Sequence, residues 1–78
     1  MIQAEKEKTF GGWLRKRRRA LDLTQQELAD RAKCTRITLR RIEAGTLKPS
    51  EELAETLLKL LGVPSHEHVA WIQFARGA

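Results

Sequence analysis

Only one cysteine, Cys34, occurs in these 78 residues. No disulfide can therefore staple the chain from within, and a reducing interior is the default setting. The beginning, MIQAEKEKTF, lacks the apolar centre that a signal peptide needs. Nor does any apolar run approach the roughly 20 residues required to cross a bilayer. Internal repeats and low-complexity segments are also missing. These absences lead to the expectation of one small cytoplasmic domain with no membrane segment.

Reactive chemistry is equally scarce. The thiol and imidazole groups are limited to Cys34, His66 and His68. Histidines two residues apart do not share a helix face, and Cys34 is needed inward, so no metal centre is expected. No nucleophile–base pair and no glycine-rich phosphate cradle can be read. The expectation is a protein that is not an enzyme, with no cofactor and no small-molecule substrate.

Positive charge is what the chain has in surplus: net +5, with a pI near 10.0. Its placement is uneven. Residues 1–48 carry 13 Lys and Arg against 6 Asp and Glu, whereas residues 49–78 carry 2 against 4. A polyanionic partner for the first part follows, although basicity alone does not separate nucleic acid from acidic lipid. Hydrophobic residues at 41% are ordinary for a globular domain and too many for a disordered one.

The most informative stretch is residues 23–43, LTQQELADRAKCTRITLRRIE. Thr24 is an N-cap, and Glu27 three positions later completes a capping box, with Leu23 and Leu28 at the staple positions. Thr35 repeats the pattern as a second cap, flanked by Cys34 and Leu39. Only a turn fits between two helices this close. They must cross steeply, with Leu28, Ala29, Leu39 and Ile42 inward and small Ala29 at the closest approach. Two capped helices so arranged form a helix-turn-helix, whose second helix is presented to a DNA major groove.

The run LTQQELA, the IEAG closing the second of these helices, and the following KPS resemble the phage-repressor and Cro-like helix-turn-helix family. The likeness covers residues 10–61 with unbroken spacing. It departs at Lys33, where the family usually has glycine in the turn, and at Asp22, often glycine ahead of Leu-Thr-Gln. The resemblance implies an all-α, lambda-repressor-like bundle of about five short helices. It also implies that Arg18 pairs with Glu43 and approaches phosphate, and that Gln25 holds a phosphate while orienting the recognition helix.

In chain order, residues 1–8 read as a polar N-terminal arm ahead of a domain at 9–78. The first helix is expected over 9–21, with Phe10, Leu14 and Leu21 in the core and Trp13 partly covered. Arg18 apart, the basic run at 15–19 reads as a solvated face. A second helix at 25–32 buries Leu28, Ala29 and Ala32, and its N-terminus at Gln25 favours an anion. A third, at 36–44, turns Leu39 and Ile42 inward with Cys34 just ahead. Arg36, Ile37, Arg40, Arg41 and Ala44 then share the outward stripe.

Exposing Ile37 benefits no fold, which marks it for contact with a thymine methyl, while Arg36 or Arg40 suits guanine O6 and N7. Base reading is therefore assigned to Arg36, Ile37, Arg40 and Arg41. Phosphate contact is assigned to Gln25, Thr35, Lys48, Arg18 and Lys33. Gly45 should cap the third helix in the left-handed conformation.

A fourth helix is expected from the Ser50 cap to Gly62, with Leu53, Leu57, Leu60 and Leu61 inward. A fifth spans about 66–76 and bears Val69, Trp71, Ile72 and Phe74, too many apolar groups for one buried stripe. A homodimer through this helix is the corresponding expectation. Double-stranded DNA is thus the expected partner, and transcriptional regulation the expected function. The alternatives are an adaptor or antitoxin that uses the same fold to bind protein, and the DNA-binding module at the front of a larger regulator.

Overall fold

A computed structural model describes residues 9–77; the arm expected at 1–8 lies outside them. The described residues form five α-helices: α1 Phe10–Ala20, α2 Gln25–Ala32, α3 Arg36–Ala44, α4 Glu51–Leu60 and α5 His68–Arg76. No strand occurs among the described residues, and the fold is an all-α bundle.

Local chemistry sets the helix starts. The side chains of Thr9, Thr24, Thr35 and Ser50 each accept the backbone N–H three residues on, so α1 to α4 begin at capping hydroxyls. At Thr24 the box is complete: Glu27 reaches back to the Thr24 N–H at 2.9 Å. That bond to the Thr24 backbone, first, and then the Thr24 hydroxyl hold the Glu27 carboxyl below its usual range. This contribution to folding is complete above the ordinary carboxylate range and is lost as pH falls through the lowered value. Thr9 is thus the cap of α1 rather than its first residue, and a 3₁₀ turn at Ser65–Glu67 precedes α5.

Two non-glycine residues are left-handed. Asp22 and Lys33 both have φ of 58°. They occupy the two positions where the repressor-like pattern favours glycine, and each carries a steric cost of about 1–2 kcal/mol. At Lys33 the geometry closes α2 and turns the chain into α3 within the helix-turn-helix.

The core collects one stripe from every helix: Phe10, Trp13 and Leu14; Leu28, Ala29 and Ala32; Leu39 and Ile42; Ala54, Leu57, Leu58 and Leu61; Trp71 and Ala75. Cys34, Leu53 and Leu60 are half-buried against it.

Three sequence expectations need correction. Leu21, placed in the core, is 41% exposed. It caps α1 with its N–H on the Arg17 and Arg18 carbonyls, where the helical period has ended, and Leu23 packs against the core instead. Trp13, expected to be partly covered, is buried because Trp71 lies over it at a centroid distance of 4.3 Å. Trp71 itself is only 2% exposed and so cannot serve as surface for a dimer. Trp71 and Phe74 of α5 are taken up by an aromatic cluster in which Phe10 meets Phe74 edge-on at 6.4 Å, while Val69 stays exposed.

The approach of α1 to α3 depends on a missing side chain. A Cβ on buried Gly11 would fall on the backbone carbonyl oxygens of Ile42 and Glu43, far inside van der Waals contact. Backbone atoms cannot rotate aside. Gly11→Ala should therefore lower the denaturant midpoint, since overpacking of about 1–3 kcal/mol outweighs the helical gain from replacing glycine, about 1 kcal/mol at most. A raised midpoint would mean that α1 sits farther from α3 than described.

Candidate nucleic-acid interface

The close approach at Gly11 brings one ion pair to the junction of three helices. Arg18 Nε donates to Glu43 Oε2 at 2.7 Å and Nη2 to Oε1 at 3.1 Å, a two-bond fork. Arg18 Nη1 donates to the Leu23 carbonyl at 2.8 Å, tying in the α1–α2 connection. Gln25 Nε2 donates to Glu43 Oε1 at 3.1 Å from the first residue of α2. The side chains of Arg18 and Glu43 are 8% and 4% exposed. Glu43 lies at the C-terminal end of α3, where the helix dipole disfavours an acid, and three donated hydrogen bonds compensate it.

Arg18 is thus turned inward and committed to the pair. The phosphate contact also assigned to it would have to be made from this buried, paired position at the wall of the cleft between α1 and α3. Gln25 is half-buried, and one of its amide N–H groups already orients α3 through Glu43. Its position at the start of α2 still faces outward enough for a second donor to meet an anion.

With α3 fixed from behind, its outer stripe faces solvent. Arg36, Ile37 and Arg40 line one shallow groove of about 120 Å³, and Ile37 is 56% exposed. Arg41 is exposed on the same helix. Thr35 is exposed at the N-terminus of α3, its hydroxyl shared between the Thr38 N–H and the Thr38 side chain. Exposed Lys33 sits in the turn ahead of it. Lys48 is exposed in the loop beyond the Gly45 cap, and its ammonium lies beside Gly77 at the end of α5.

Several contributors were missed from sequence. Arg17 donates Nε to the Leu61 carbonyl at 3.0 Å, closing the C-terminal end of α4. Arg76 donates Nη1 to the Pro49 carbonyl at 2.8 Å, which anchors the Lys48 loop to α5. Neither contact has a signal in local spacing, because the partners lie 44 and 27 residues away. Arg15 and Arg19, read with the basic run as a solvated face, line a cleft of about 400 Å³ between α1 and α3 together with Arg40. Their i, i+4 spacing was a readable sign of a shared face.

Elsewhere, buried His68 donates from Nε2 to the Val63 carbonyl at 2.8 Å, a link within the fold. Burial pushes the Cys34 thiol above its ordinary range. Among the described residues no group of three or more His, Cys, Asp or Glu could hold a metal ion, and no helix is long and apolar enough to cross a membrane.

An anchored helix with an exposed basic and apolar stripe, entered by a tight turn from a capped partner, defines a helix-turn-helix domain. The chain belongs to that family: residues 9–71 match the model of the helix-turn-helix domain. It is 41% identical over 56 residues to an uncharacterized HTH-type transcriptional regulator of Methanothermobacter thermautotrophicus, covering 72% of this chain and 77% of the relative. No solved structure matches it.

The buried pair makes a sharp prediction. Glu43→Gln leaves the Arg18 charge buried without its counter-charge and should cost about 3–5 kcal/mol. Arg18→Met with Glu43→Leu removes both charges and should recover most of that loss. Urea denaturation of the four proteins in the cycle measures the coupling, and a Glu43→Gln midpoint equal to wild type would make the pair a surface one.

Proposed function

We infer that this domain binds duplex DNA in a sequence-specific manner and thereby regulates transcription, as a relative of the phage-repressor and Cro-like proteins. The observation that carries this reading is the groove of Arg36, Ile37 and Arg40 on a helix held rigidly by the Arg18–Glu43 pair. An exposed isoleucine between two arginines without partners among the described residues serves neither packing nor solubility. Laid in a major groove, the arginines can grip guanine edges and the isoleucine a thymine methyl. Arg41 joins them at the flank. Gln25, Thr35, Lys33 and Lys48 hold phosphates on either side and set the register.

Selection from random duplexes tests this directly. Arg36→Ala and Arg40→Ala should each flatten preference at one guanine-containing position by about 1–3 kcal/mol. Ile37→Ala should weaken a thymine preference and leave the salt dependence alone. Lys48→Ala should weaken all sequences alike and reduce the salt slope by about one unit. Four variants that keep the wild-type motif and differ only in overall affinity would show α3 gripping backbone, and capture of no duplex would favour a protein-binding module.

A dimer on DNA through α5 is the accompanying reading. Val69 is 71% exposed, and half-buried Ile72 lies one turn further along the same face. Two half-sites about 34–36 Å apart suit a domain this small. Sedimentation with a selected palindrome should show two chains per duplex, and Val69→Glu should reduce this to one. A 1:1 complex on every selected site would exclude the dimer.

A further inference from the structure

Three arginines converge on the cleft between α1 and α3, and among the described residues no acid is left to balance them. Arg15 and Arg19 stand one turn apart on α1, and Arg40 faces them from α3. All three are exposed, and none has a hydrogen-bond or ion-pair partner among the described residues. The carboxylate in the cleft wall, Glu43, is already neutralised by Arg18 and bonded by Gln25. Like charges one helical turn apart repel, so the fold gains nothing from gathering them. An oxyanion in the cleft would relieve the repulsion, and planar guanidinium forks suit phosphate oxygens.

We propose that this cleft seats one backbone phosphate of the bound duplex, held by Arg15 and Arg19. The proposal rests on the DNA-binding reading and adds a contact to it. The cleft opens beside the recognition groove, because Arg40 lines both. A phosphate fixed there adds a sequence-blind anchor beside the base that Arg40 meets. Arg18 lines the same cleft but is held to Glu43, so the open guanidinium groups on α1 are those of Arg15 and Arg19. The chemistry is that of a phosphate oxyanion, which a free polyphosphate could also supply, and the two sources separate in experiment.

The test uses the whole chain and a duplex selected by the wild type. Arg15→Gln with Arg19→Gln should lower the slope of log affinity against log salt by about one unit, the value for one phosphate. The selected motif and the melting temperature should be unchanged, since neither side chain has a folding partner among the described residues. Lys16→Gln, on the same helix but outside the cleft, should leave the slope as it is. A scan with single uncharged methylphosphonates should then find one position per bound chain that weakens the wild type about as much as the double variant. That position should have no further effect on the double variant.

Equal slopes for the Lys16 and double variants would reduce the run to diffuse charge and overturn the seat. So would identical methylphosphonate profiles for wild type and double variant, even with DNA recognition intact. If inorganic pyrophosphate binds one to one and expels the duplex, the cleft serves a free polyphosphate instead. Failure of the wild type to select any duplex would remove the DNA-binding reading itself.

Discussion

The Arg18–Glu43 pair is the constraint through which the reading helix acquires its orientation. It ties α1 to the last turn of α3, takes in the α1–α2 connection through the Leu23 carbonyl, and receives Gln25 from α2. Every donor in this network points at one carboxylate or one carbonyl. The recognition helix is thereby held at its C-terminal end, while the Thr35 cap and the Lys33 turn hold its N-terminal end. Replacing a buried pair by apolar groups often costs little stability. What the pair adds is direction, a two-bond fork whose geometry an apolar contact does not supply.

The surroundings serve the same geometry. Gly11 lets the α1 backbone come close enough for Arg18 to reach Glu43. Arg17 and Arg76 close the α4 terminus and the loop before it, so that Lys48 stands beside α5 in place of a floppy linker. The run at residues 15–19 is thereby divided. Arg17 and Arg18 work inward, Arg15 and Arg19 face the cleft, and Lys16 faces solvent. Five consecutive basic residues have three different jobs because a helix turns by about 100° per residue.

Much of the candidate site was legible because it is local. The caps at Thr24, Thr35 and Ser50, the capping box and the Gly45 terminus depend on groups three to five residues apart. The outward stripe of Arg36, Ile37 and Arg40 followed from helical period alone and shares one groove. Leu21 and Trp13 were less legible, since their burial depends on where the chain goes next. Leu21 follows the period of α1, yet the chain turns away at Asp22 before that position meets the core. Trp13 is covered by a residue 58 positions later, and no window along the chain contains both.

The sequence by itself determined the all-α class, the start of three helices, the tight turn and the identity of the outward stripe. Each of these is set by backbone capping or by a period of 3.6, quantities complete within a dozen residues. The tertiary structure decided which arginines of the basic run are committed to the fold, where the aromatic groups of α5 go, and that Gly11 is a contact surface. These depend on the direction and spacing at which helices distant in sequence meet, because burial and pairing belong to the assembled bundle and not to any one helix.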